Sequence, residues 1–497
     1  MNEESDVRNT DKNRSVTYNF IMNVILTGSN ILFPLLTYPY ASRILKPYGM
    51  GMVSFANAVI TYFTMFAQLG IPTYGIRVCA KVRDDREKLS RTAQEILIIN
   101  MVTCFLSYAA FFVAVFCNAR LRQEKTLFLV MSVLIFFNTL GVEWLYKGLE
   151  QYTYITVRSI IFKFIAFVCI FVFVHNSDDY VVYGFLTVLA LVGSNAMNFI
   201  NLHKMISVRP TGNYHFRQHM KPILVFFGMS IATTIYTNMD SVMLGFIKGA
   251  DENGCYDAAV KIKNILVSVV TSLGTVLLPR VSYHWEKGNK KEFWTLAKKA
   301  AAFEIIAGGS LAVFFIIFAQ PTIYLVSGKL FERAILPMEI IMPTLFLIGL
   351  SNITGIQILI PMGKEKYVLY SEIAGAIVNL IVNAVLIPRL GASGAAIGTV
   401  SAEFIVLIYQ MCVLRKDLGK LFKGIQIWKI ITAIGLAVLA SLAVRRSSLP
   451  VFLSLLAGGI FFFAVYGIML LILRESVVWE YWNTGKSYIN KFLKNRH

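Results

Sequence analysis

Fourteen apolar segments, each close to the length of a membrane-crossing helix, dominate this sequence. A helix needs about 20 consecutive apolar residues to cross the ~30 Å hydrocarbon core of a bilayer. The segments are predicted at 18–38, 51–72, 92–117, 126–146, 154–174, 181–202, 222–247, 256–278, 300–326, 336–362, 367–387, 393–414, 430–444 and 451–473. Only 15% of the residues are charged, whereas soluble domains carry about 25%. We therefore predict an all-α integral membrane protein with about 14 transmembrane helices.

The 47 Lys and Arg residues give a net charge of +19, and their placement predicts the orientation. Most of them fall in loops that share one side of the membrane with both termini, above all 77–91 and 279–299. Cytoplasmic loops carry such an excess of basic residues. Both termini are thus predicted to be cytoplasmic. The basic charge indicates membrane topology and contact with lipid headgroups rather than binding of nucleic acid.

Two weak internal similarities indicate a repeat. GMVSFA at 51–56 resembles GCYDAA at 254–259, and GLEQY at 148–152 resembles GKEKY at 363–367. In both pairs, six predicted helices separate equivalent points. An even number of helices brings the second copy into the membrane from the same side as the first, so the repeats are expected to share one topology.

The repeat predicts two six-helix lobes, at 1–210 and 211–415. Two further helices and an interfacial C-terminal tail would occupy 416–497, with Trp479, Trp482, Ile489 and Leu493 near one face of that tail. Repeat transporters place the substrate site between their repeats. A hydrated cleft between the lobes is therefore expected.

The sequence lacks the motifs of common catalytic sites. It contains no Walker A motif, no GxSxG and no HExxH, and its six cysteines show no CxxC spacing. HFRQH at 215–219 has two histidines four residues apart, but no carboxylate is close in sequence, so metal binding is not expected there. We predict that the chain is not an enzyme and needs neither a cofactor nor a metal.

Among the carboxylates inside predicted membrane helices, three are candidates for a role in transport. Asp240, in YTNMDSVMLGF, falls within the seventh, and Glu372 and Glu403 fall within the eleventh and twelfth. Ionisable groups in a membrane are costly and usually face a water-filled cavity or a partner. We expect Asp240 to face the cleft and the three residues to act in coupling. The structural alternative is that Asp240 pairs with a lysine or caps a broken helix.

Several basic residues lie in or near the same helices. Lys163 is too deep in the fifth helix to reach the surface easily, whereas Arg158, nearer its inner end, is expected to extend to the interface. Arg43, Lys261 and Lys263 lie near the predicted outer mouth. Cations at that depth either anchor the helix at the interface or face the cleft, and the sequence leaves both roles open.

Asn379 and Asn383 lie four residues apart in the eleventh predicted helix, on one face with Gly375. Small residues and asparagines on one face of a membrane helix usually serve close helix packing and hydrogen bonding between helices. That structural role is favoured here.

Longer stretches of the sequence resemble the Wzx-type flippases of bacterial surface polysaccharides, a branch of the multidrug/oligosaccharidyl-lipid/polysaccharide exporter superfamily. The similarity begins with NILFPLLTYPYASRILKPYGMGMVSFANAVITYFTMFAQLGIPTYGIRVCAKVRDDREKLS and continues in MDSVMLG, LLPRVS and GAIVNLIVNAVLIPRLGASGAAIGT. It covers nearly the whole chain. The resemblance implies a MATE-like fold with 14 helices in two lobes, a central cationic cavity, alternating access and a location in the bacterial inner membrane. Lys46 departs from the family, in which a glycine is common there.

The resemblance also implies a substrate, an undecaprenyl-diphosphate-linked oligosaccharide that moves from the inner to the outer leaflet. Its diphosphate would be neutralised by Arg43, Lys163, Lys261 and Lys263. Tyr38 and Tyr40 are expected to stack on sugars while their hydroxyls donate hydrogen bonds. Membrane lipids, a polysaccharide polymerase and a chain-length regulator are the other expected partners.

Three other functions compete with this interpretation. A multidrug/cation antiporter of the same superfamily usually has 12 helices and binds cationic drugs through carboxylates. A flippase for peptidoglycan precursors, from a nearby branch, is a second alternative. A membrane polysaccharide polymerase or acyltransferase would be expected to show a sizeable outer loop or a catalytic His/Asp set, and neither is evident in this sequence.

Overall fold

The computed structural model describes residues 16–207, 209–447, 449–480 and 482–483. In these ranges the ordered elements are helices, and no strand is found. The predicted interfacial face at Ile489 and Leu493 lies outside the described residues.

The helices of the first part of the chain run to Ile247. They are α1 Val16–Gln68, α2 Ile71–Val82, α3 Arg86–Cys117, α4 Ala119–Gln123, α5 Lys125–Leu140, α6 Glu143–Gly148, α7 Tyr152–Phe173, α8 Tyr180–Met205 and α9 Arg217–Ile247. A 3-10 turn, Ser177–Asp179, precedes α8.

The second part of the chain is also helical. Its helices are α10 Ala250–Glu286, α11 Lys290–Ile317, α12 Ala319–Val326, α13 Ile335–Ile341, α14 Thr344–Asn352, α15 Glu365–Leu390, α16 Ala392–Val413, α17 Leu418–Phe422, α18 Ile427–Arg445 and α19 Val451–Ile472. A 3-10 helix, Lys329–Ala334, precedes α13, and a π-helix, Ile353–Leu359, continues α14.

Among the described residues, 11 helices are long and apolar enough to cross a membrane, or up to 13 if two bent pairs each form one span. The first of them, Ile21–Val82, has 62 residues, about three times the length that a bilayer needs. It is interrupted at Lys46, where φ is 60° and ψ is −180°, so it supplies two crossings. This division raises the upper count to the 14 predicted helices.

The chain divides into two compact units, Met1–Phe246 and Ile247–His497. Helix α9 therefore belongs almost entirely to the first unit. The predicted boundaries of the two six-helix lobes, at residues 210 and 415, stay a prediction.

Each unit has its own buried core. In the first unit, α2, α3 and α6 pack around the fully buried Ile71, Ile96 and Tyr146. In the second unit, Phe314, Phe318 and Phe462 join α11 to α19. Outside these cores many large apolar side chains are exposed, with Phe105 at 74% and Ile472 at 66%. Exposed apolar area on this scale is expected of helices that face lipid.

The start of α3 shows how a charged residue fixes a helix end. Asp85 precedes the helix in an extended conformation, and its carboxylate accepts a hydrogen bond from the backbone N–H of Lys88 at 3.0 Å. This bond holds the pKa of Asp85 below its usual value. Such a cap satisfies one of the backbone donors that a helix start leaves open.

Lys46 interrupts α1 at a backbone conformation that glycine adopts far more easily. A side chain in this region costs on the order of 1–3 kcal/mol. We expect Lys46→Gly to raise the melting temperature of the purified protein, because glycine removes this strain. Lys46→Ala is the control, since it removes the charge and the long side chain but keeps the Cβ. An equal rise in both variants would show that the lysine side chain, and not the backbone, is the source of the strain.

Candidate functional site

Lys163 lies in α7 and is 9% exposed. Its Nζ donates to Ser29 Oγ at 2.7 Å and to Asn30 Oδ1 at 2.5 Å, both in α1. These acceptors are neutral, and no carboxylate of the described residues lies within ion-pair distance of Nζ. The prediction that Lys163 stays inside the protein is therefore confirmed, and its positive charge is held in place without a counter-ion.

Arg158, about one and a half turns earlier in α7, was expected to reach the interface, and that expectation is wrong. Its side chain is 5% exposed and donates to the carbonyl of Ser194 in α8. The guanidinium also lies 5.7 Å from the ring centroid of Tyr154. Its Nε has no hydrogen-bond partner among the described residues. The carbonyl and the ring draw the guanidinium inward, which sequence position alone does not reveal.

The other residues of α1 that were predicted to bind substrate make contacts within the protein. Tyr40 donates its hydroxyl to the carbonyl of Val174 at 2.9 Å, and its ring lies 4.4 Å from that of Phe171. Tyr38 is 4% exposed. Arg43 is exposed, and its guanidinium donates to the carbonyl of Pro39, one turn earlier, at 2.9 Å. Tyr40 thus joins α1 to the end of α7, and a sugar would have to displace that bond to reach its hydroxyl.

Helix α9 is fixed to the first unit at both ends. Near its start, the backbone of Phe226 and Phe227 lies against Gly70, where φ is 73° and a Cβ would lie 2.7 Å from Phe226 C. Near its end, Gly245 lies directly under the ring of Phe55, leaving no room for a Cβ. Both glycines are therefore required by close approach.

The middle of α9 is more open and unusually polar. Thr233 and Thr237 are exposed, and each donates to a carbonyl of its own helix, at 3.2 and 2.9 Å. Asn238 donates to Thr237 Oγ1 at 2.9 Å. A membrane helix that exposes such side chains usually lines a hydrated space.

Asp240, one turn further along α9, is 7% exposed. The side chain is thus buried in this conformation, and the expectation that Asp240 faces the cleft stays a prediction.

Sequence reasoning missed a buried polar cluster at the start of α9. His219 Nε2 lies 2.6 Å from Glu95 Oε2, and its Nδ1 lies 2.7 Å from the hydroxyl of Tyr74. Glu95 also accepts from the backbone N–H of His215 at 2.5 Å and from Gln218 Nε2 at 3.2 Å. The statement that HFRQH has no carboxylate nearby holds for the sequence but not for the fold, because Glu95 comes from α3.

The predicted residues of the second unit have different surroundings. Lys261 is exposed and Lys263 is half-buried, both in α10. Glu372 is half-buried in α15, and Glu403 is 6% exposed in α16. The described residues contain no group of three or more His, Cys, Asp or Glu side chains able to hold a metal.

The asparagines of α15 have the structural role that was favoured. Asn383 Nδ2 donates to Asn379 Oδ1 at 3.0 Å, and both side chains are buried. The Asn383 amide lies against Gly398 of α16, where a Cβ would collide with it. Close packing of two helices through small and amide side chains is thus confirmed.

A model of the polysaccharide biosynthesis protein family matches residues 16–285 of the chain. The chain belongs to this family. A second model, of the MatE family, matches residues 226–385, and both place this polysaccharide biosynthesis protein in the superfamily that the sequence resemblance indicated.

Two curated relatives of this polysaccharide biosynthesis protein carry the name "Putative O-antigen transporter". The protein from Escherichia coli (strain K12) is 24% identical over 82% of this chain and 99% of its own length. The protein from Shigella dysenteriae is 24% identical over 79% of this chain and 98% of its own length.

Two solved structures share the fold. The lipid II flippase MurJ, in an inward closed conformation, superposes with a TM-score of 0.73 at 14% identity, over 92% of this chain and 99% of that chain. An inward-facing multidrug resistance MATE transporter superposes with a TM-score of 0.62 at 15% identity, over 79% and 95%. Both likenesses confirm the predicted MATE-like helical membrane fold.

Proposed function

We propose that the protein is a flippase that carries undecaprenyl-diphosphate-linked oligosaccharides from the inner to the outer leaflet of the bacterial inner membrane by alternating access, for O-antigen, capsule or exopolysaccharide synthesis. Buried Lys163 carries this proposal, because its ammonium is hydrogen-bonded only to neutral groups and can therefore pair with an anion. The family and the names of the two relatives support a role in polysaccharide export. In this proposal the protein is not an enzyme and both termini are cytoplasmic.

The chemistry of the substrate explains the need for such a charge. A diphosphate with attached sugars cannot enter ~30 Å of hydrocarbon without a large loss of hydration. Lys163 and Arg158 replace part of that hydration through charge-assisted hydrogen bonds. The Nε of Arg158 has no partner among the described residues, so a phosphate oxygen would satisfy it. The polyprenyl tail stays in the lipid.

The remaining predicted ligands have supporting roles in this proposal. The exposed polar middle of α9, with Thr233 and Thr237, hydrates the sugars. Exposed Arg43 and Lys261 meet the headgroup before or after Lys163 does, and Lys263 and the ring of Tyr38 contribute once the conformation changes. A polymerase and a chain-length regulator receive the delivered unit.

The experiment follows the lipid-linked unit in cells that lack this protein. In the parent bacterium, a membrane-impermeant oxidant of sugar diols should attack the lipid-linked oligosaccharide of intact spheroplasts. In the deletion strain, we expect the oligosaccharide to accumulate and to react only after permeabilisation. Normal reaction in intact deletion spheroplasts would contradict the proposal. In the same assay, Asp240→Asn tests whether Asp240 couples transport to an ion gradient. If the variant exports normally, and its export does not depend on the membrane potential or the pH gradient, Asp240 has no coupling role. The coupling role proposed for Glu372 and Glu403 would then be withdrawn as well.

The match of residues 226–385 to the MatE family model favours a multidrug antiporter as the second candidate. An antiporter for cationic drugs needs buried carboxylates at its substrate, whereas α7 offers two buried cations that are hydrogen-bonded to neutral groups. Greater sensitivity of the deletion strain to aromatic cations, with normal export of polysaccharide units, would favour the antiporter.

A further inference from the structure

Glu304 is a buried carboxyl in the second unit to which the proposed transport role gives no function. It lies in α11 and is 2% exposed. No hydrogen bond to it from a described residue is present, and its Oε1 is fully buried without a partner. The removal of a carboxylate from water without any donor is among the most unfavourable arrangements in a protein interior.

The packing around Glu304 is built to hold its carboxyl group. Gly349 of α14 and Gly308, one turn further along α11, both face this group, and a Cβ at either glycine would overlap it. An alanine at Gly349 would therefore expel the carboxyl. The two glycines leave room for the carboxyl group of Glu304 but not for a shell of water around it. An ionised carboxylate could therefore not be solvated there.

A small cavity of about 10 Å³ adjoins the carboxyl. Its polar lining comes from Thr271 of α10, Asn352 of α14 and Gln357 of the π-helix. A volume of this size holds one water molecule at most. A divalent cation needs six or more oxygen ligands or several waters, and neither fits here.

The charged groups of the neighbouring helices do not reach Glu304. Apart from Glu304 itself, none of the residues that line the cavity from α10, α11, α14 or the π-helix is charged or titratable. Tyr466 of α19, a titratable residue that contacts α11 near this region, donates to the carbonyl of Ile306 at 2.9 Å. Residues two apart on a helix point in different directions, so Tyr466 faces another side.

The π-helix next to Glu304 is the second unusual feature. Gln357 is 1% exposed, and its Oε1 has no partner among the described residues. Thr354, in the same segment, donates to Gln410 Oε1 at 2.6 Å, and Gln410 donates to Ser371 Oγ at 3.1 Å. This network ties the π-helix to α15 and α16. Short π-helical segments occur frequently at functional sites.

We propose that Glu304 is a proton-binding site, whose carboxyl is neutral in this conformation and ionises only when α11 and α14 separate at Gly349. Proton release requires water at the carboxyl, and water can enter only if Gly349 and the adjoining π-helix move away. Proton binding and the packing of these helices are therefore thermodynamically linked. The inference does not depend on the substrate, and it adds a proton site to the second unit.

Thermal melting of the full chain in lipid nanodiscs between pH 5 and pH 8 tests the proposal. A glutamine side chain mimics the neutral acid, so we expect Glu304→Gln to melt at or above the wild-type temperature, with a gap that widens as the pH rises. The physical reason is that the unfolded glutamate ionises and the folded one does not, which shifts the unfolding equilibrium by about tenfold per pH unit. Exposed Glu286, at the end of α10, supplies the control: Glu286→Gln should follow the wild-type curve at each pH.

Two results would overturn the proposal. One is a Glu304→Gln protein that melts below the wild type throughout the pH range, which would mean that an ionised Glu304 holds the fold together. The other is a higher melting temperature of the wild type, but not of Glu304→Gln, when NaCl replaces KCl at constant ionic strength, because sodium would then be the ligand. Infrared spectra give an independent readout: the wild type at pH 7 should show the C=O band of a protonated acid that Glu304→Gln lacks.

Discussion

Replacement of Lys163 by methionine is expected to lower the export of lipid-linked oligosaccharide at least tenfold while the protein inserts and folds normally. The ammonium is fixed by Ser29 and Asn30 and has no counter-ion among the described residues. A hydrogen bond to a charged group contributes about 1.5–3 kcal/mol, which corresponds to roughly a ten- to hundredfold change in an equilibrium or rate constant. The assay is the oxidation of the lipid-linked unit in intact spheroplasts.

The stability of the same variant separates this role from a structural one. A buried charge without an oppositely charged partner carries a desolvation penalty. An apolar side chain of similar length is therefore expected to leave the melting temperature unchanged or to raise it. Lys163→Arg keeps the charge and should retain most of the export. Lys125→Met removes an exposed lysine at the start of α5 and serves as the matched control.

A Lys163→Met protein that exports normally would exclude Lys163 from the diphosphate site. A protein that loses export together with its melting temperature would assign Lys163 to the α1–α7 interface instead. The expected pattern, lower export with equal or higher stability, fits neither of these outcomes.

The helical membrane fold follows from the sequence because each helix carries its own signal. A run of about 20 apolar residues crosses a bilayer whatever its neighbours are, and the backbone must satisfy its hydrogen bonds within the helix. The packing of Asn379 and Asn383 could also be predicted from the sequence, because residues four apart share a helix face. Local periodicity is enough for such predictions.

The break in α1 could be predicted only in part from the sequence. The sequence places a turn near LKPYG, and Pro47 removes a backbone donor there. It does not show that Lys46 itself takes the left-handed φ of 60°, since glycine is the residue that this conformation favours. The lysine is tolerated because the surrounding helices determine the course of the backbone.

Side-chain environments that depend on distant residues could not be predicted. Arg158 turns inward because Ser194, 36 residues later, offers its carbonyl. Glu304 is enclosed by Gly349, which lies on another helix. Nothing in the local pattern marks either contact. A buried charged residue with a small residue as its distant neighbour leaves no periodic signal, so these parts of the site required the fold.

Glu95→Ala is expected to cause the largest loss of stability in the first unit, roughly 3–5 kcal/mol, because each buried donor that loses its acceptor costs about 1–3 kcal/mol. Glu95 is 1% exposed. Its carboxylate accepts from the backbone of His215, from Gln218 and from His219, so the substitution leaves three donors without an acceptor. The melting temperature of the purified protein measures the effect.

The same loss should be visible as local opening, because the cluster is what holds the start of α9 against α2 and α3. Limited trypsin digestion after Arg217 should therefore be faster in Glu95→Ala than in the wild type. Glu87→Ala is the matched control on α3: that carboxylate is 78% exposed and pairs with Arg91 across one turn, and such surface pairs contribute about 0–1 kcal/mol. If both variants melt and digest alike, the cluster does not hold α9. If only Glu95→Ala opens, the start of α9 depends on a carboxylate that lies 120 residues or more away along the chain, and the Gly70 contact with Phe226 does not hold it alone.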